Sequence, residues 1–228
     1  MEPDVERVLP LVVRVEKAQP PTRTDALEAA ALAVLLMVTT DDPQWREAVE
    51  AWAGNRIRKV VRRARGAEWR RATALPGLTV THGSAQVRVY PPIPLDEWPR
   101  DLARLQVSGT ELADPEPPAA PAPGTPLVLL SPGVPMSAGK AMAQAGHAAQ
   151  LGLRSLHPAT AAAWAADGFP LAVRVATAGQ WAAAVRSGAP VVHDAGFTEV
   201  APGSATATFV AAAHPAGPPV PAAHSDRG

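Results

Sequence analysis

The sequence predicts an α/β fold, carried in two similar halves, and three observations predict it. Short runs rich in valine and leucine, such as PLVLL at Pro126 and PLAVRVA at Pro170, alternate with alanine-rich stretches long enough for helices. Breaks at Asp167-Gly168 and Ser187-Gly188 close the helical stretches. The whole order then occurs twice along the chain. Strands alternating with helices define the class.

Taken in order, the second half opens with a strand over Leu127 to Leu130, followed by a helix that Ser137 is suited to cap. A second helix spans Thr160 to Ala166, then come a strand from Pro170 to Ala176 and a helix from Ala178 to Arg186. Strands over Pro190 to His193 and Ala205 to Ala212 complete it, the last one antiparallel. The first half answers with the strand-like LPLVVRVEKA and the helical TDALEAAALAVLLM. Trp52 with Trp164 and Trp69 with Trp181 share one spacing of 112 residues, and Arg62 falls on Arg174 in the same frame. GSAQVRVY at Gly83 answers GSATATFV at Gly203, at a spacing of 120, so eight extra residues fall where the second half has HDAGFTEV. These correspondences read as an internal duplication.

Composition narrows the class. A chain of 228 residues suits one large domain or two small ones. With no cysteine there is neither a disulfide framework nor a thiolate metal site. The acidic start MEPDVERVLP lacks the basic-then-apolar pattern of a signal peptide, and ALEAAALAVLLMV is too short for a membrane span and carries Glu28. A cytoplasmic protein with no membrane partner is expected. The 26 prolines concentrate in ADPEPPAAPAPGT, which reads as a semi-rigid linker over 113–124, and in a disordered tail from His214. The units are then 1–112 and 125–213.

The net charge of zero hides an asymmetry. Between Arg56 and Arg71 stand eight basic residues and one acid, Glu68. Such a cluster is either a solvated face or a phosphate-binding patch. Read as a patch, it offers Arg58, Lys59, Arg62, Arg63 and Arg70 as phosphate contacts.

Two stretches carry chemistry. In PMSAGKAMAQAGHAAQLG, Lys140, Gln144, His147 and Leu151 share one helix face, among alanines, glycines and methionines. A solvated polar stripe would explain the face. Lys140 in the first turn, however, opposes the helix dipole, which a bound anion would relieve. In HDAGFTEVAPGSATATF, Asp194 emerges at the carboxyl end of an apolar strand, where α/β folds build sites. Gly196 permits a tight turn, Thr198 offers a hydroxyl, and Pro202-Gly203-Ser204 turns again before the last strand. Asp194 as a simple turn cap is the alternative.

Together these stretches resemble the type 2 peptidyl-tRNA hydrolase family, which reads approximately K-M-x-K-G-K-x-x-A-Q-x-x-H-A and then D-A-G-x-T-x-x-A-P-G-S-x-T. The likeness covers about residues 125–213. It implies a mixed four-stranded sheet with helices on both faces, a usual homodimer, no metal or organic cofactor, and cleavage of the ester joining a peptide to tRNA. Carried over by motif, Asp194, Lys140, Thr198 and His147 are the catalytic candidates. Gln144, Thr206, Gly196 and Ser204 are the substrate-binding ones. Asp194 would orient or deprotonate the attacking water, Thr198 and Lys140 would bind the carbonyl oxygen or a phosphate, and Gln144 and His147 would hold the terminal nucleotide. Two family lysines are replaced, by Pro135 and Ala138. The first half has no DAG loop, so it would serve as a degenerate copy making an internal pseudo-dimer, the chain being a monomer or homodimer with tRNA as partner. The alternatives are a catalytically weak or inactive tRNA-binding protein and an interaction module that kept only the fold.

Overall fold

The computed structural model describes residues 5–196 and 199–211, so the tail from His214 and the candidate Thr198 lie outside the described residues. The first unit runs β1 (Arg7–Arg14), α1 (Arg23–Val38), α2 (Pro43–Ala53), β2 (Lys59–Ala64), α3 (Gly66–Ala74), β3 (Leu78–His82), β4 (Ala85–Val89), β5 (Ile93–Pro94) and α4 (Arg100–Ala103). The second runs β6 (Leu127–Leu130), α5 (Ala138–Ser155), α6 (Pro158–Ala166), β7 (Ala172–Val175), α7 (Ala178–Arg186), β8 (Val191–His193) and β9 (Ala205–Val210).

The sheets follow the orders β2-β1-β4-β3, with β5 also on β1, and β7-β6-β9-β8. In each, the central strand is parallel to the strand after the helices and antiparallel to the last one, so both sheets are mixed. The fold is α/β. Strand order and sense are the same in both units, and two details repeat at the spacing of the tryptophans. Trp52 Nε1 donates to Arg58 O at 3.0 Å and Trp164 Nε1 to Pro170 O at 2.9 Å, each reaching the carbonyl that leads into the next strand. The caps Arg65 and Thr177 open α3 and α7.

Local chemistry starts the helices. Thr22, Asp42 and Ser137 each accept a backbone N–H of their own first turn, and Thr177 with Gln180 forms a capping box. Helices α1 and α5 pack on one another between the two sheets, within one continuous core that includes Leu11, Val34, Ala145, Ala149 and Phe209. Small residues let α5 approach both α1 and β9 closely. A Cβ on Gly146 would lie 2.6 Å from Val34 Cγ2, and one on Gly152 would lie 2.2 Å from the Phe209 ring. On the other face of the first sheet, Val12 packs with Trp69, Tyr90 and Leu102 beneath α3 and α4. Burial there raises the Tyr90 hydroxyl to about 12.

The units differ most where the sequences differ in length. Gly83-Ser84 alone joins β3 to β4, whereas residues 194–204 join β8 to β9. The proline-rich stretch is irregular but anchored. Asp114 accepts the N–H and hydroxyl of Thr24, and Ala119 O accepts from Arg174. Among the described residues no helix is long and apolar enough to cross a membrane.

Candidate active site

The long loop is held by its own aspartate. Asp194 N–H donates to Ser204 O at 2.9 Å and Gly203 N–H donates to Asp194 O at 2.7 Å, closing the loop at its base. Gly196 N–H reaches Asp194 Oδ1 at 2.8 Å. Gly196 has φ +80, and a Cβ there would meet the Pro202 ring at 2.3 Å, so both the turn and the packing require glycine.

Helix α5 supplies the other oxygen's partners. Lys140 Nζ lies 2.5 Å from Asp194 Oδ2, and Gln144 Nε2 donates to the same oxygen at 2.6 Å. Residues four apart share a helix face, which is why both reach one atom. Thr206 Oγ1, on β9, lies 2.9 Å from Gln144 Oε1 and fixes the amide's orientation. Asp194, Gln144 and Thr206 are 7%, 3% and 0% exposed. A charged and hydrogen-bonded cluster is thus enclosed at the carboxyl end of β8, with Lys140 nearest its rim.

This arrangement changes three expectations. The anion that answers Lys140 is Asp194 itself. The start of α5 is also occupied: Ser137 N–H and hydroxyl meet Glu199 Oε1, Ala138 N–H donates to Thr110 O, and Lys140 N–H meets Ser137 Oγ. Gln144 and Thr206, expected to bind substrate, are buried and bonded to each other, with the Gln144 amide turned to Asp194. Ser204 closes the loop base, with its hydroxyl on Ala201 O at 2.8 Å.

His147 does not join the cluster. A further turn along α5 it bonds the Ile57 carbonyl of the first unit through Nε2, while Nδ1 is buried without a partner. Burial, and then the nearby Lys59, hold its pKa well below the ordinary histidine range. Spacing along the helix places His147 on the face of Lys140 and Gln144, but α5 is sandwiched, and its successive turns face different neighbours.

The basic cluster is likewise dispersed. Lys59 is buried, bonds Gln150 Oε1 at 2.7 Å and stands 4.7 Å from the Trp52 ring centre, its pKa pushed well down by burial. Arg62 turns inward to the Ala103 and Leu105 carbonyls and stacks on Trp98. Arg58 pairs with Glu6, and Arg63 bonds Gln106. Only Arg70 of the five proposed contacts is fully on the surface, on α3, across the first sheet from α1 and α5. Lys59 is therefore corrected from a phosphate contact to a packing residue, Arg62 is half-buried with its guanidinium on Trp98 and two carbonyls, and Arg70 does not face Asp194.

At the matching place in the first unit the helix residue carries the opposite charge. Thr22 and Ser137 are equivalent caps, so Asp25 stands where Lys140 stands. Its carboxylate takes the N–H and hydroxyl of Ser84 at 2.7 and 2.6 Å, in the turn that replaces the long loop. Sequence reasoning missed Glu28, His82 and Glu199, because their partners come from remote segments with no shared motif. No protein-family model, curated protein or solved structure gives a significant match to the chain.

Proposed function

We propose that the chain hydrolyses the ester of peptidyl-tRNA, or of an N-blocked aminoacyl-tRNA, at the Asp194–Lys140 cluster. One observation carries the reading: two sequence stretches far apart, each resembling a hydrolase motif, converge on a single carboxylate. In this mechanism Asp194 orients a water that attacks the acyl carbon, while the Lys140 ammonium stabilises the developing oxyanion. Asp194 takes the proton that the attacking water loses, the bond from the acyl carbon to the ribose oxygen breaks, and that oxygen receives the proton from Asp194. Gln144 and Thr206 hold Asp194 in register. Thr198 is assigned to the oxyanion from the motif alone.

A second reading, binding of tRNA without turnover, is favoured by the near-complete enclosure of Asp194 and by Pro135 and Ala138 standing where the family has lysines. Purified protein incubated with N-acetyl-aminoacyl-tRNA separates the two. Release of free tRNA by the parent, reduced about a hundredfold or more in Asp194→Ala, supports hydrolysis. Salt-sensitive tRNA binding without release replaces hydrolysis with binding.

A further inference from the structure

We propose that Asp25, Glu28 and His82 form a divalent-cation site at the seam between the two units. Asp25 and Glu28 lie three residues apart near the start of α1, on one face, and His82 ends β3 beside them. One ligand atom from each lies within 4.8 Å of the others. The carboxylates are held in place by outer partners. Ser84 occupies Asp25 Oδ2, while Val173 N–H at 3.0 Å and Arg174 at 2.6 Å occupy Glu28 Oε1. Glu28 Oε2 is left facing His82 Nε2 at 2.9 Å. With metal–ligand bonds of about 2.1 Å, neighbouring donors around an ion stand about 3 Å apart, so this pair needs almost no rearrangement.

The surroundings of the triad are acidic and open to solvent. A groove of about 390 Å³ runs past Asp25 and Glu28 and adds Asp114 and Glu116, opposed by the single guanidinium of Arg174. A second groove of about 460 Å³ is lined by Glu28, His82 and Arg174. An ion held by three protein donors would thus keep coordination positions open to solvent. Two carboxylate oxygens and one imidazole nitrogen, without thiolate, suit zinc or manganese. Arg174 would remain as a hydrogen-bonded support for Glu28, the usual outer arrangement of a ligating carboxylate. The site is independent of the hydrolase reading.

The test uses the full chain after chelator treatment, titrated calorimetrically with Zn²⁺ and Mn²⁺ in separate runs. One site per chain is expected for at least one of the two ions. His82→Ala, which removes a half-exposed imidazole, should weaken it at least about tenfold. Asp25→Asn should do the same, with far-UV circular dichroism confirming that both variants are folded. Co²⁺ bound to the parent should give visible absorption bands that His82→Ala loses. Absence of saturable binding for both ions at millimolar concentration overturns the proposal. So does parent-like affinity in folded His82→Ala, since the metal would then sit on other histidines.

Discussion

Lys140 and Asp194 meet 2.5 Å apart with side chains 13% and 6% exposed, and the pair joins the first turn of α5 to the loop that follows β8. Removing one partner leaves the other charge enclosed, which is more damaging than removing both. Lys140→Met is expected to destabilise by about 3–5 kcal/mol, and the double variant with Asp194→Leu by less. Urea unfolding of the four proteins in the cycle measures this; additive effects would show that the two charges do not interact.

Gln144 offers a finer test, because its amide spans Asp194 and Thr206. Gln144→Leu removes one donor from Asp194 and one partner from Thr206, for a loss of about 1–3 kcal/mol. If the proposed hydrolysis operates, kcat should fall while KM stays near the parent's, since Gln144 is buried and positions the carboxylate rather than touching substrate. A rise in KM alone would put Gln144 in the substrate pocket instead.

Much of this was legible in the sequence. Valine-rich strands, Gly-terminated helices and the tryptophan spacing are local patterns, and α7 occupies the expected residues Ala178 to Arg186. The convergence of Lys140, Gln144 and Asp194 also followed from motifs whose residues face one way. What was not legible is what depends on the second unit. Lys59 and Arg62 read as basic surface because sequence shows charge and not depth; the neighbours that engage them, Gln150 for the buried Lys59 and Trp98 for the half-buried Arg62, are distant along the chain. His147 was misplaced because α5 has no free side: one turn faces the Asp194 loop and the next faces Ile57.

The two units should unfold together, because Glu28 of α1 takes the Val173 N–H of the opposite sheet and pairs with Arg174. Its side chain is 10% exposed, so Glu28→Ala leaves a buried N–H and a guanidinium without their acceptor. The expected cost is about 3–5 kcal/mol, with a single cooperative transition in the parent. Separate transitions for the two units in the parent would mean that this seam contributes little.

Stability should also fall with acid through His147. Burial lowers its folded pKa, and Lys59, Lys140 and Arg154, the charged groups acting on it, are all cations; only the Ile57 carbonyl favours the proton. The unfolded chain therefore binds that proton first. The histidine's contribution is complete above the unfolded value of about 6.5 and is lost progressively as pH falls from there toward the folded pKa, by up to about 1.4 kcal/mol per pH unit. His147→Gln can still donate to Ile57 O but cannot titrate. The difference in unfolding free energy between parent and His147→Gln should move in the variant's favour between pH 7 and pH 5, while protons on other groups largely cancel. A difference that stays constant over that range would mean that His147 titrates alike folded and unfolded, and that the seam between α5 and β2 is open to water.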